Sequence, residues 1–186
     1  EAQGCQKDID LYFSSMVKSL GSLGGFICGP KAVIKYLRYN TRSQIFAKSM
    51  PLMVVEGMLK RMDMIKTMPE LREKLWYNVN KLQTGLKERG FDIGGTNSPV
   101  TPIFMKGDVP EATQMVMDLR ENYHIFCSIV VYPVIPKGDI IYRLIPTAAH
   151  SDADIDETLK AFEETKKKLD AGVYKAVDIP DMAEAN

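Results

Sequence analysis

The chain has 186 residues, 45% of them hydrophobic, which suits one or two globular units with a core of their own. Its 24 basic and 24 acidic residues cancel, so it carries no electrostatic footprint for nucleic acid or a membrane surface. Cys5, Cys28 and Cys127 are widely spaced and form no CxxC pair. They read as small buried thiols in a reducing, cytoplasmic setting, with no disulfide scaffold and no zinc site. No apolar run approaches the roughly 20 residues of a membrane span, and no stretch reads as a signal peptide. A first residue of Glu rather than Met, entering at once a strand-like pattern, reads as a fragment.

In chain order, residues 9–14 read as a short buried strand. A polar, glycine-rich stretch from Ser15 to Gly25 follows, then a second strand at Phe26-Ile27-Cys28. Pro30 suits the first turn of a helix reaching about Tyr39. Residues 51–66 read as a helix with Leu52, Val55, Leu59 and Met62 on one face, a methionine-rich element suited to core packing. Thr67-Met68-Pro69-Glu70 has capping-box spacing. It opens a helix with Leu71, Leu75, Val79, Leu82 and Leu86 on one stripe, ended by Gly90.

Strands and helices then alternate. The strands are 98–105, 125–132 and 139–145; the helices are 110–121, with Ala112, Met115, Val116 and Leu119 inward, and 152–169, with Ile155, Leu159, Phe162 and Leu169 on one face. This is an α/β pattern. The expected organisation is 1–50 as the end of a larger sheet domain, 51–69 as a connecting helix, 70–172 as a small α+β domain and 173–186 as a tail.

Few residues have the makings of chemistry. Lys18 follows a strand, among hydroxyls (Ser14, Ser15, Ser19) and before glycines. A partly desolvated lysine has a lowered pKa, and its neutral amine attacks an aldehyde to form an imine. Hydroxyls and glycine N–H groups suit a phosphate, yet a solvated loop lysine fits the same pattern. Arg143 alternates within Ile140 to Ile145, sharing its face with Ile141 and Ile145, where a guanidinium calls for an anionic partner. An internal salt bridge would satisfy it equally. His150 suits a structural hydrogen bond and His124 a surface turn. Tyr132 to Gly138, stiffened by Pro133 and Pro136, reads as a substrate wall or simply a rigid hairpin. No His, Cys or carboxylate cluster has metal-ligand spacing.

Three blocks, taken in order, resemble the α-oxoamine synthase family of pyridoxal phosphate (PLP) enzymes. They are Ser15-Met16-Val17-Lys18-Ser19-Leu20-Gly21-Ser22-Leu23-Gly24-Gly25-Phe26, Tyr132 through Gly138, and Arg143 to His150 (RLIPTAAH). The resemblance covers roughly residues 8–170. It implies fold type I of the PLP-dependent transferases: the end of the large domain plus the small C-terminal α+β domain. It further implies that Lys18 holds PLP as a Schiff base, Ser15 bonds its phosphate, and Arg143, with Tyr132, binds the amino-acid substrate. The implied reaction joins glycine or serine to an acyl-CoA, in the manner of serine palmitoyltransferase or 2-amino-3-ketobutyrate CoA ligase, in a homodimer.

One block departs from the family pattern. Ile45-Phe46-Ala47-Lys48-Ser49-Met50-Pro51 aligns with a segment that usually carries two hydroxyls and reaches the partner subunit's cofactor phosphate. Ser49 is kept, Ala47 replaces the first hydroxyl, and Lys48 is expected to compensate with charge. The family's ring-stacking residue and pyridine-nitrogen aspartate belong to a preceding part, so the fragment alone is expected to be inactive. An aminotransferase of the same fold and a non-catalytic subunit are the competing readings.

Overall fold

The computed structural model describes residues 3–175, which fall into two units, one ending at Pro69 and one beginning at Glu70. In the first unit, β1 (Tyr12–Ser15) and β2 (Gly25–Cys28) form an antiparallel hairpin in which Ser15 pairs with Gly25 and Tyr12 with Cys28. Then come α1 (Lys31–Asn40), the single turn α2 (Arg42–Ile45) and α3 (Leu52–Thr67).

Three expectations fail in this unit. β1 is not a buried strand: Tyr12 and Phe13 are exposed, because a two-stranded ribbon leaves both faces open unless another layer covers it. Cys5 and Cys28 are exposed for the same want of cover, and only Cys127, in the second unit, is a buried thiol. On α3 the stripe of Leu52, Leu59 and Met62 is exposed, while Met58 is buried. Leu52-Met53-Val54-Val55 is apolar all round, so periodicity alone could not choose the face.

The second unit comprises α4 (Pro69–Glu88), β3 (Thr101–Lys106), α5 (Val109–Tyr123), β4 (Ser128–Val130), β5 (Asp139–Leu144) and α6 (Asp152–Asp170). The expected capping box at Thr67 is absent. Thr67 stays in α3 and its hydroxyl donates to the Asp63 carbonyl at 2.9 Å, the back-bonding open to a threonine at a helix end. Two real capping boxes stand elsewhere. Asp108 and Glu111 bond reciprocally at the start of α5, as do Ser151 and Asp154 at the start of α6.

The sheet has strand order β3-β5-β4, all antiparallel, so β5 is bonded on both sides. Ile140, Tyr142 and Leu144 point from β5 into a core with Val79, Leu82 and Leu86 of α4, Met115 and Leu119 of α5, and Ile155, Leu159 and Phe162 of α6. Phe162 takes Phe91 and Tyr142 edge-on, with ring centroids 6.1 and 6.3 Å away. α4 and α6 approach closely at Gly85, where an added Cβ would lie 2.4 Å from a Leu159 methyl.

Residues 173–175 of the expected tail are not loose. Tyr174 is buried and its hydroxyl donates to Asp118. Residues 176–186 lie outside the described residues. Asp118 also accepts from Lys168 and from Asn122, each at 2.7 Å. Burial alone would raise the Asp118 carboxyl, but these three hydrogen bonds outweigh it and hold the group below its ordinary value. A depressed carboxyl stabilises the fold above its unfolded pKa and loses that contribution as the pH falls through its folded pKa. Asp118→Asn is therefore expected to cost about 1.5–3 kcal/mol near neutral pH, with the gap to the parent closing below about pH 4. Denaturant titrations of both proteins across pH measure this, and a gap that persists undiminished in acid contradicts it.

Candidate functional site

The first unit presents Lys18 on a lobe shaped by its own backbone. The Met16 N–H donates to Gly24 O, and Met16 O accepts from the Ser22 N–H, both at 2.9 Å. Inside this closure the Gly21 N–H donates to Lys18 O at 2.9 Å, a tight turn that starts at Lys18. Gly24, at φ +93°, takes a conformation that L side chains rarely adopt, and the Met50 sulfur lies 3.0 Å from where a Cβ would sit. That contact brings the 48–50 segment beside the lobe.

Lys18 itself is exposed. The lobe is ordered by backbone bonds rather than by packing over the side chain. Among the described residues of its unit, the Lys18 amine has no hydrogen bond or ion pair. Half-buried Ser15 accepts a 3.4 Å bond from the Val17 N–H, which leaves its hydroxyl proton free to donate. Lys48 and Ser49 are exposed on the loop between α2 and α3. A primary amine open to an aldehyde, hydroxyl protons and an ammonium form a donor set that fits PLP, whose carbonyl carbon the amine would meet and whose phosphate the others would meet.

The second unit carries Arg143 and Tyr132. Arg143 lies on the face of β5 opposite the core, exposed, with its Nε donating to Ser128 Oγ at 3.1 Å. Among the described residues of this unit no carboxylate lies within ion-pair distance, so the alternative of an internal salt bridge is not what the unit shows. Tyr132, 64% exposed, joins Pro133 through a cis peptide, and the Val134 N–H donates to Val131 O at 3.0 Å.

His150 has the structural role expected, its Nδ1 accepting from the Thr147 N–H at 2.9 Å. His124 ends α5 in the left-handed region at φ 57°, on the surface. Sequence reasoning missed two residues. Asn78 is fully buried on α4, and its Nδ2 donates to Thr147 O and His150 O, both at 2.9 Å, which pins the loop after Arg143. A polar residue inside the apolar stripe of α4 was the signal. Ser128 is visible only through strand register.

The model of the family "aminotransferase class I and II" matches residues 2–162. The chain belongs to that family. A cysteate-C-fatty acyltransferase of Capnocytophaga ochracea is 60% identical over 95% of this chain and 42% of the relative. A serine palmitoyltransferase of Sphingobacterium spiritivorum is 37% identical over 84% of this chain and 39% of the relative. A solved structure described as SPT with PLP internal aldimine is 29% identical and superposes with a TM-score of 0.83, covering 91% of this chain and 43% of its own. The chain thus spans about two fifths of the length of the curated relatives it matches. Its fold is that of the fold type I PLP-dependent transferases, and within the family it falls with the α-oxoamine synthases.

Asn78 also decides how firmly the RLIPTAAH block is held. Its two donated bonds contribute about 1 kcal/mol each, while Oδ1, buried without a partner among the described residues, costs about 1–3 kcal/mol. These nearly cancel, so Asn78 specifies the loop more than it adds to global stability. Asn78→Leu is expected to leave the unfolding midpoint close to the parent's. Amide exchange at Thr147, Ala149 and His150 should quicken roughly tenfold, equivalent to about 1.4 kcal/mol of local stability. Unchanged exchange there contradicts the pin.

Proposed function

We propose that this chain is part of a PLP-dependent C-acyltransferase that condenses an amino acid with an acyl-CoA. The observation that carries the reading is 60% identity over 95% of the chain to a fatty acyltransferase of cysteate. The exposed Lys18 lobe supports it with the right donor chemistry. Cysteate is the first amino acid to try, followed by serine and glycine.

PLP, when bound, supplies the electron sink for charge developing at the amino acid's α-carbon. Lys18 would hold the cofactor through its Nζ, and the same amine, when free, would carry the α-proton. Ser15 donates its hydroxyl proton to the phosphate. Ser49 and Lys48 offer a further hydroxyl and a positive charge to a phosphate across a homodimer, with Lys48 standing in for the hydroxyl missing at Ala47. Arg143 holds the substrate carboxylate with its planar guanidinium, and Tyr132 forms the wall beside it. The balanced charge and the absence of a long apolar helix among the described residues are compatible with a cytoplasmic enzyme.

The test is turnover by the complete PLP-loaded enzyme with an acyl-CoA and each amino acid, read as released CoA and CO2. Lys18→Ala is expected to lower turnover by about a thousandfold or more. Parent-level turnover in that variant contradicts the assignment. Lys48→Ala is expected to weaken PLP retention by roughly three- to tenfold, measured by dialysis and cofactor titration. Retention equal to the parent's removes Lys48 from the phosphate site.

A further inference from the structure

On the outer face of the second unit's sheet Arg143 stands among apolar side chains, with the Lys106–Asp139 ion pair beyond them on the same face. By strand register Pro102, Arg143 and Ser128 stand in one row across β3, β5 and β4, and Phe104, Ile141 and Val130 form the next. Ile145, 56% exposed, follows Arg143 along the same face. Ser128 is the one hydroxyl in these rows, and it accepts from Arg143 Nε at 3.1 Å.

A guanidinium can meet a carboxylate with two parallel hydrogen bonds along more than one edge, and each edge that includes Nε differs from the edge made by the two Nη groups. The Ser128 bond occupies Nε. Among the described residues of this unit, the Nη groups meet no protein acceptor. The bond also removes freedom from a side chain that otherwise carries about 2 kcal/mol of rotamer entropy. Arg143 is thereby left with its Nη1–Nη2 fork as the open edge.

We propose that Ser128 is a positioning residue for the amino-acid substrate: by taking up Arg143 Nε it fixes the guanidinium so that the substrate carboxylate docks on the Nη1–Nη2 fork. The inference rests on the reading of Arg143 as the carboxylate anchor. It adds a determinant of amino-acid affinity that lies on β4.

The experiment is steady-state kinetics of the complete PLP-loaded enzyme with cysteate and with serine, for the parent, Ser128→Val, Ser128→Thr and Arg143→Gln. Valine keeps strand propensity and removes the acceptor. Ser128→Val is expected to raise the amino-acid KM about three- to tenfold while kcat and the acyl-CoA KM stay within about twofold, and Ser128→Thr to restore the parent KM. An amino-acid KM unchanged in Ser128→Val but raised in Arg143→Gln overturns the role of Ser128 and leaves the carboxylate reading intact. Arg143→Gln with the parent's KM overturns both. A joint fall in kcat and both affinities that threonine does not rescue assigns Ser128 a merely structural part and also overturns the proposal. Where turnover is too slow to measure, amino-acid titration followed by cofactor absorbance gives the same comparison, and a parent that binds neither amino acid overturns reading and inference together.

Discussion

Strand β5 must bury one face and expose the other, and the second unit is organised around that constraint. Bonded to β3 and β4 on its two edges, β5 cannot slip by one residue without turning Tyr142 out and Arg143 in. Burying an unpaired guanidinium costs several kcal/mol, and exposing Tyr142 forfeits its packing on Phe162, so the register is strongly fixed. The same alternation that builds the core therefore delivers Arg143 to the opposite face, beside Ser128. The loop that leaves β5 is then pinned by Asn78 from α4, which couples helix packing to the position of the RLIPTAAH block.

The first unit places its chemistry by a different means. Lys18 is exposed, and little apolar packing surrounds it. Its position comes from backbone bonds around Met16 and from a glycine at 24 whose backbone few other residues adopt. Such a lobe holds the main chain while leaving the side chain free to swing, which suits the role proposed for Lys18.

Periodicity made much of the second unit legible. Leu159 and Phe162, or Ala112, Met115 and Leu119, recur at helical spacing and are buried as that spacing implies. The alternation of Ile140 to Ile145 likewise assigned Arg143 to a face. What periodicity cannot supply is the identity of the covering layer, which is why β1, Cys28 and the Leu52–Met62 stripe were expected inside. Asn78 stands out as a polar residue in the α4 stripe, but its partners about 70 residues away do not, and Ser128 is illegible because only strand register brings it to a partner 15 residues away. The Lys18 block was readable as a hydroxyl- and glycine-rich lysine loop, but composition alone did not separate a reactive amine from a solvated one.

The central claim is that the Lys18 amine is the group that holds the cofactor. Reducing the complete PLP-loaded enzyme with borohydride and mapping its peptides by mass spectrometry tests this directly, because reduction makes the link between lysine and cofactor permanent. The account predicts the pyridoxyl group on the peptide containing Lys18. Its recovery on a different lysine, Lys48 included, or on none, would contradict the account.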